Sequence, residues 1–513
     1  MCRKLVALTD LTEGINNPLL PFYVSLFILL FIHNQFKARP QVKLPALPLP
    51  PGPRPWPILG NMMQLGEMPH VTLSELAKVY GPLISLKLGT QLVIVGSSPA
   101  VAKEILKEKD HLLSARYVPH VMPAERSKLS YISLGWSPEC GIGWKYLRTI
   151  CQTELFSRNA IESRALVREK KVMEMVELIS SREGDVVNIG EVVFATVLNM
   201  LSNILVSKDF IEFKNGSVDG EMKNLVGQMM EVSAKPNISD LYPILSRLDL
   251  QGLQRKSKEL TVKMNEMWTA IIEERRYRKG KEGDEAAAAQ SDFLDILIEN
   301  DFTDETINQL YMELFTAGTD TSSTTVEWAM AELIKNPESM DKVRGEVAKE
   351  ISQDKPKESD LSKLKYTEAC VKETLRLHPP APLLLPHRAP RACSMMNYFI
   401  PKNSQVQVNI WAIGRDPTIW KDPLEFRPER FMQSSLDFKG KHFEFLPFGT
   451  GRRICPGLPM AAKQVPLVLA SLIKFFDWTL PHGTEHSKLD MTEKLGITLQ
   501  KAQPLFLIPK VRK

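Results

Sequence analysis

One cysteine near the C-terminus constrains this chain more than any other residue. Cys455 stands in the segment Phe448-Gly-Thr-Gly-Arg-Arg-Ile-Cys-Pro-Gly457, directly before the apolar helical pattern LPMAAKQVPLVLASLIKFF. The glycines let backbone pass close to a flat ligand, and a thiolate at the start of a helix gains from the amides and the dipole there. A buried cysteine is usually a packing residue, which is how we interpret Cys151 and Cys370. The loop around Cys455 instead favours ligation of a metal.

The other cysteines and the charge balance exclude several classes of protein. The chain has 513 residues and six cysteines, with no CxxC pair, which disfavours a disulfide framework and a structural zinc site. Its 65 basic and 60 acidic residues leave a net charge of +5, so no global basic field favours nucleic acid. Most cysteines are therefore expected to be reduced thiols.

The first sixty residues are typical of an N-terminal membrane anchor followed by a stiff spacer. An uncharged run, PLLPFYVSLFILLFI, precedes three cations, which favours an anchor whose C-terminal flank is cytosolic. The run would span roughly 22 Å as a helix, short of an endoplasmic-reticulum bilayer of ~27 Å, and a cleaved signal peptide is the alternative. We predict three segments: an anchor with a short extension at 1–36, a basic and proline-rich hinge at 37–61, and the catalytic domain at 62–513.

Beyond the hinge the pattern predicts a mostly α protein with small β-sheets. The stretch from Pro82 to Gly96 alternates as strands do, and helical periodicity then dominates as far as about Leu377. A charged, alanine-rich segment near 280–290 is expected to be an exposed loop. No repeat or further linker divides the remainder, which favours a single large domain.

Two further motifs lie far from the cysteine. The run Ala317-Gly-Thr-Asp-Thr321 sits inside a helical pattern from about Glu305 to Asn336, where a glycine and hydroxyl residues should weaken the helix and form a local groove or kink. A tolerated glycine with solvent-facing threonines is the alternative. Glu373 and Arg376 share one helix face, an arrangement that alone is a common surface ion pair.

Together these motifs resemble the cytochrome P450 superfamily, in which the cysteine loop reads FxxGxRxCxG. That pattern is filled here by Phe448, Gly451, Arg453, Cys455 and Gly457. The resemblance implies the cytochrome P450 fold and a heme b whose iron is ligated by the Cys455 thiolate, which favours O–O cleavage. It also implies heme contacts from residues whose side chains meet the propionates: Arg453, Trp144, Arg148 and either His387 or Arg388.

The same resemblance assigns roles away from the cysteine loop. Asp320 and Thr321 would order water and deliver protons to iron-bound dioxygen. Glu373, Arg376 and Arg430 would form a structural triad that braces the core. NADPH electrons would arrive through NADPH-cytochrome P450 reductase, and the catalytic domain would face the cytosol from a single-pass anchor in the endoplasmic-reticulum membrane. Nucleic acid is not an expected partner.

Within the superfamily the chain is most similar to plant enzymes of benzylisoquinoline alkaloid synthesis, through segments such as HPPAPLLLPHRA and DLYPILSRLDLQGLQRKSKEL. That group resembles N-methylcoclaurine hydroxylases and their phenol-coupling relatives. Some couplers carry proline at the position of Ala317, whereas this chain keeps AGTDT intact. The resemblance therefore favours 3'-hydroxylation of an N-methylcoclaurine-like substrate over oxidative C–C or C–O coupling. A non-catalytic heme-binding protein is the alternative from another class.

The resemblance also indicates where an alkaloid substrate would lie. Substrate-facing segments would be Arg116–Trp136, Leu314–Ala317, Ala381–Leu385, and Ile497 with Thr498. A protonated tertiary amine needs an acidic, aromatic or carbonyl partner. Glu313 is a candidate for that partner, with an unspecialised glutamate on the helix surface as the alternative.

Overall fold

We describe the fold from a computed structural model, in residues 47–124, 126–214, 217–281, 292–351, 355–481 and 485–512. The anchor predicted at 1–36 and nearly all of the charged segment near 280–290 lie outside these ranges. Residues 49–396 and 400–513 belong to one of two units, which we call the second unit. The second unit carries the elements discussed below.

The helices fill most of the second unit. In chain order they are α1 (Met62–Leu65), α2 (Pro69–Tyr80), α3 (Pro99–Lys103), α4 (Asp110–Leu113), α5 (Arg126–Ile132), α6 (Ile142–Ile150), α7 (Arg158–Ser163), α8 (Ala165–Ser180), α9 (Ile189–Val206), α10 (Glu221–Ala234), α11 (Ile238–Leu241), α12 (Leu253–Lys281), α13 (Phe293–Glu299), α14 (Asp304–Lys335), α15 (Pro337–Glu350), α16 (Lys365–Leu377), α17 (Ile410–Ile413), α18 (Glu429–Met432) and α19 (Leu458–Phe475). The prediction of a mostly helical protein is confirmed.

The strands are short and form small sheets. In chain order they are β1 (Leu83–Leu88), β2 (Gln91–Gly96), β3 (Ala115–Arg116), β4 (Val187–Asn188), β5 (Glu212–Lys214), β6 (Ser217–Asp219), β7 (His387–Arg388), β8 (Cys393–Met395), β9 (Tyr398–Ile400), β10 (Gln405–Val408), β11 (Phe476–Thr479), β12 (Glu493–Leu495), β13 (Leu499–Lys501) and β14 (Phe506–Val511). The strands predicted between Pro82 and Gly96 are present as the antiparallel pair β1 and β2.

The largest sheet brings distant parts of the chain to one place. Its strand order is β1-β2-β10-β7-β3. At its edge β3 pairs antiparallel with β7, so Arg116 lies opposite His387. Both residues are buried. This pairing places His387, a predicted heme contact, beside Arg116, the first residue of a predicted substrate-facing segment.

The long helix α14 runs through the core. Thr303 caps its first turn by accepting the Thr306 N–H, and Asp304 and Glu305 complement the helix dipole there. The helix is continuous through the predicted weak stretch. Gly318 serves close packing instead, because a Cβ there would lie 3.1 Å from a Leu201 methyl carbon on α9.

Two described helices are long and apolar enough to cross a membrane. They are α9 and α19, with 78% and 56% of their residues buried inside the protein. Both contribute many residues to the main hydrophobic cluster. Their hydropathy is thus accounted for by the core, and they carry no argument for or against the anchor predicted at the N-terminus.

The described end of the predicted hinge lies along β1. The Ser85 N–H donates to Pro51 O at 2.9 Å, and its hydroxyl donates to Pro50 O at 2.6 Å. A Cβ at Gly52 would meet Ser85 O at 2.0 Å, so only glycine fits this approach. The second unit begins at Leu49, and the boundary between hinge and catalytic domain at 61 and 62 stays a prediction.

Candidate active site

The loop before α19 is closed on itself and presents Cys455. The Cys455 N–H donates to Phe448 O at 3.0 Å. Gly449 and Gly451 have φ of +64° and +75°, values that favour glycine. At Gly451 a Cβ would also lie 2.2 Å from Leu106 O. The backbone conformation of this loop thus requires Gly449 and Gly451.

The Cys455 sulfur has the surroundings of a metal ligand. Protein atoms packed around the sulfur raise the pKa of its thiol, and the Gly457 and Leu458 N–H groups and the charge of Arg148 only partly offset that rise. A metal cation at this sulfur would remove the thiol proton outright. The residue also remains accessible to a small molecule, as a ligand for an external metal must be. Cys455 therefore fits the ligand role predicted from the sequence.

Arg453 points into the protein with part of its guanidinium unpartnered. Nε donates to Ser114 O at 2.9 Å and Nη2 to Ser137 O at 2.6 Å, while the buried Nη1 has no partner among the described residues. The guanidinium lies over the Trp144 ring, 4.6 Å from its centroid. The Trp144 N–H donates to Leu134 O at 2.9 Å, so the indole supports Arg453 through its face.

Arg116 and Arg148 complete what we call the arginine cradle, the set Arg116, Arg148 and Arg453. Arg148 donates to Ile454 O at 2.7 Å, and Arg116 donates to Gly135 O and Leu385 O at 3.2 and 2.9 Å. Burial and the charge of Arg453 lower the pKa of Arg116 to about 9. In the described part of the chain, none of the three forms an ion pair with a carboxylate.

The arginine cradle therefore fits the carboxylates of a heme. Three buried cations held only by neutral carbonyls repel one another, and an anionic group placed among them would relieve that repulsion. The unpartnered Arg453 Nη1 offers one donor for such a group. Guanidinium pairs well with carboxylates. These residues would hold the propionates, and Cys455 would hold the iron.

The structure separates His387 from Arg388, which the sequence left as alternatives. His387 is buried, and burial with the charge of Arg116 lowers its pKa to about 3. Its Nδ1 lies 2.7 Å from Leu113 O. Arg388 donates to Arg116 O and to Asn403, because adjacent strand residues face opposite sides. The geometry thus groups His387, and not Arg388, with the arginine cradle.

One face of α14 stays accessible within an otherwise buried helix. We call Ala317, Gly318 and Thr321 the open helix face, since Ala317 is exposed and the other two are partly exposed. The Thr321 hydroxyl donates to Ala317 O at 2.8 Å, and Thr319 and Asp320 beside it are buried. The alternative of solvent-facing threonines is therefore wrong for Thr319, which is buried, whereas Thr321 is partly exposed.

Asp320 is held away from the open helix face. Its carboxyl accepts the Thr498 hydroxyl and the Gln500 amide N–H, the latter at 3.1 Å. Burial raises the pKa of Asp320, and these two donors act against that rise. Asp320 and Thr321 are adjacent in sequence, but their side chains have separate partners.

Glu313 has a role that the sequence did not predict. It is buried, and burial raises its pKa. Its two oxygens accept from Ser133 Oγ, Leu134 N, Gly135 N and Gln309 Nε2, so four donors fill the carboxylate. The surface alternative is wrong, and the saturated carboxylate has no lone pair left for a substrate amine. Glu313 anchors the loop 133–135, whose carbonyls in turn receive Trp144 and Arg116.

The predicted triad residues meet in the core. Glu373 forms a bidentate pair with Arg376 at 2.8 Å, and Arg430 Nε donates to the same carboxylate at 2.9 Å. Arg376 also donates to Pro423 O at 2.7 Å. Loss of one partner would strand a buried charge at a cost of roughly 3–5 kcal/mol. This network ties α16 to the segment leading into the cysteine loop.

Three further residues of the predicted substrate-facing segments differ in accessibility. Leu385 and Ile497 are 38% and 39% exposed, whereas Thr498 is buried against Asp320. The five described cysteines are free thiols. No local sequence motif predicts the contacts of Arg116, Glu313 and Gln500. These contacts join residues that are far apart in the sequence, and the structure reveals them.

Comparison with known proteins agrees with this geometry. Residues 50–507 match the family model described as Cytochrome P450. The chain is similar to the "Probable (S)-N-methylcoclaurine 3'-hydroxylase isozyme 2" of Coptis japonica, 48% identical over 90% of this chain and 93% of that one. It is also similar to "(S)-N-methylcoclaurine 3'-hydroxylase isozyme 1" of Eschscholzia californica (46%; 90% and 94%) and to "Corytuberine synthase" of Coptis japonica (45%; 90% and 94%).

Proposed function

Because this chain belongs to the cytochrome P450 family, we propose that it hydroxylates the 3' position of an N-methylcoclaurine-like alkaloid. The family uses a heme iron with a cysteine thiolate ligand, dioxygen, and NADPH electrons delivered through a reductase. The chain is a P450 monooxygenase closely related to enzymes of benzylisoquinoline alkaloid synthesis. The substrate and the position of attack are the proposal.

The observation that carries the proposal is the intact stretch from Ala317 to Thr321. Thr321 lies on the open helix face, and among the described residues its hydroxyl is hydrogen-bonded to Ala317 O alone. Asp320 supplies a buried carboxyl whose pKa is raised, which suits a group that takes up and releases a proton. Oxygen insertion needs such controlled proton delivery, whereas radical coupling of two phenols does not.

The bound heme supplies a redox-active iron at which dioxygen is activated. Around it, Cys455 would hold the iron, the arginine cradle would hold the propionates, and His387 would pack beside Arg116. Thr321 and Asp320 would move protons. A substrate ring would lie near Leu385 and Ile497, whose side chains are partly exposed. Phe448, Gly451 and Gly457 would shape the loop that carries the thiolate.

We further propose that the enzyme is held at the endoplasmic-reticulum membrane by a single span, with the catalytic domain in the cytosol. The uncharged N-terminal run and the cations after it support this topology. NADPH-cytochrome P450 reductase would be the electron donor.

Oxidative coupling of a benzylisoquinoline is the second candidate. The similarity to a relative named as a synthase, at 45% identity, favours it nearly as much as the similarity to the hydroxylases. A non-catalytic heme protein is disfavoured by family membership together with the intact proton-handling residues.

The test is turnover of N-methylcoclaurine and related phenolic alkaloids with a P450 reductase and NADPH, with the products identified by mass spectrometry. The proposal expects a catechol that is heavier than its substrate by one oxygen atom. Ring-closed or dimeric products would assign the coupling reaction instead. A normal thiolate spectrum with no turnover of any benzylisoquinoline would refute the substrate class.

A further inference from the structure

The Asp320 carboxyl is held by a β-hairpin and not by a cation. Thr498 donates its hydroxyl to Oδ2, while Gln500 Nε2 lies 3.1 and 3.3 Å from Oδ1 and Oδ2. Only 5% of Asp320 is exposed. Within the described residues no lysine or arginine forms an ion pair with it. Two neutral donors from one short strand segment therefore determine where this carboxyl points.

The hairpin is fixed to the same helix that carries Asp320. Its strands are β12 and β13, and Gly496 N donates to Thr498 O at 2.9 Å in the turn between them. Trp328, fully buried and two turns beyond Asp320 on α14, donates its indole N–H to Leu499 O at 3.0 Å. The donors and the acceptor are thus parts of one rigid contact between helix and hairpin.

The tip of the hairpin joins this contact to an accessible surface. Ile497 is 39% exposed, while its neighbour Thr498 is 4% exposed against Asp320. Ile497 and Thr498 are consecutive residues of the turn between β12 and β13, and their side chains have different surroundings. A molecule that displaces Ile497 would therefore move the Thr498 hydroxyl and change its bond to Asp320.

The other charged groups near the contact are few among the described residues. Glu327 lies on the same helix seven residues after Asp320, and its carboxylate accepts Leu505 N at 2.8 Å. Lys501 at the end of β13 lies over Trp328, 4.8 Å from the ring. Burial raises the pKa of Glu327, and the charge of Lys501 acts against that rise. Neither is hydrogen-bonded to Asp320, so Thr498 and Gln500 are the groups to alter.

We infer that Thr498 and Gln500 are positioning residues that hold Asp320 for proton delivery and make that hold responsive to substrate at Ile497. The inference rests on the proposed function, in which Asp320 relays protons. It gives the C-terminal hairpin a task beyond lining the substrate site. The proton itself stays on Asp320 or passes towards Thr321; the hairpin only sets the orientation and the proton affinity of the carboxyl.

The variants are Thr498→Val and Gln500→Leu, with Thr492→Val as the matched control. Thr492 also donates its hydroxyl to an aspartate, Asp490, at 2.6 Å, but on the surface and away from Asp320. The holoenzyme is assayed with reductase for product and hydrogen peroxide per NADPH across pH. Independently of turnover, infrared difference spectra against Asp320→Asn report the Asp320 carboxyl stretch.

Both hairpin variants should release several-fold more peroxide per NADPH than the parent and Thr492→Val. Because a lost donor destabilises the carboxylate, the alkaline limb of the coupling profile should move to higher pH, and the carboxyl band should shift. Thr498→Ser, which keeps the hydroxyl, should restore both readouts. It also separates loss of the contact from loss of folding, for which the carbon monoxide spectrum is the check.

Parental coupling, pH profile and carboxyl band in both hairpin variants would overturn the inference. If the parent turns over no alkaloid, the proposed function fails, and the infrared band still decides whether the hairpin holds Asp320. A band that shifts without any change in coupling or pH profile would also overturn the inference, since the contact would then be only structural.

Discussion

The arginine cradle and the carboxyls of α14 are held in opposite ways. Arg116, Arg148 and Arg453 are buried cations whose partners are backbone carbonyls, and burial lowers the pKa of each. Glu313 and Asp320 are buried acids whose partners are neutral donors, and burial raises the pKa of each. In neither region does a described salt bridge neutralise these groups.

The difference indicates what each region is built to receive. Cations that repel one another are stabilised by an added anion, so the arginine cradle suits a ligand with carboxylates. Acids with a raised pKa exchange a proton more readily near neutral pH than ordinary ones do. We therefore propose that the arginine cradle binds the cofactor by charge and that Asp320 handles protons. Glu313 connects the two regions, because the loop it anchors accepts a hydrogen bond from Arg116 of the cradle at Gly135 O.

The largest effect is expected from substitution of Cys455, the predicted ligand of the heme iron. Cys455→Ala should abolish the thiolate spectrum of the reduced, carbon-monoxide-bound protein, because no other described residue offers a thiolate there. The control is Cys151→Ala, since Cys151 is a core residue and burial raises its pKa to about 12. Catalytic activity retained by Cys455→Ala would refute the ligand assignment.

Removal of a cradle cation should weaken cofactor retention. Arg453→Leu loses a charge-assisted hydrogen bond worth about 1.5–3 kcal/mol. Heme should therefore pass to excess apomyoglobin at least roughly tenfold faster than from the parent. The heme lost per hour is the measurement. Arg388→Leu is the control because the Arg388 guanidinium bonds the backbone oxygen of Arg116 and the side chain of Asn403, and not a cradle guanidinium. Equal heme loss from both variants would remove the distinction between them.

Glu313→Gln should weaken the arginine cradle, because Glu313 on α14 holds the loop 133–135 that accepts Arg116. The new amide nitrogen must face donors on either side, which leaves buried N–H groups unsatisfied at about 1–3 kcal/mol. We expect a lower melting temperature and faster heme loss. Glu305→Gln on the same helix is the control, since its pair with Lys128 is exposed and worth about 0–1 kcal/mol. Heme loss at the rate of the control would disconnect Glu313 from the cradle.

The smallest effect on structure belongs to the proton-handling side. Thr321→Ala should keep a normal carbon monoxide spectrum while reducing equivalents leak to hydrogen peroxide several-fold more than in the parent. Thr325→Ala removes the same kind of hydroxyl-to-carbonyl bond one turn further along and should leave coupling unchanged. Loss of the carbon monoxide spectrum in Thr321→Ala would mean that Thr321 supports the cofactor, which would contradict a role confined to proton handling.

Local patterns predicted much of this molecule. The cysteine loop is specified by its own glycines and by the helix that follows, and the spacing of Glu373 and Arg376 places both on one helix face. The strands between Pro82 and Gly96 and the bounds of α14 followed from periodicity, since each element buries a regular face.

Long-range pairing accounts for what the sequence did not predict. Arg116 joins the cradle only because β3 pairs with β7 across some 270 positions. Glu313 was assigned to a substrate amine or to the surface, because nothing local indicates that the loop 133–135 packs against it. The partners of Asp320 lie 178 and 180 residues further along the chain. Such contacts depend on tertiary packing and leave no periodic signal.

The central claim is that the proton-handling residues of α14 serve insertion of oxygen into the substrate. Turnover of N-methylcoclaurine under isotopically labelled dioxygen tests it most directly, with the product analysed by mass spectrometry. We predict a catechol carrying one labelled oxygen atom per molecule. A product without the label, formed by joining two aromatic positions, would contradict the claim and assign the chain to coupling.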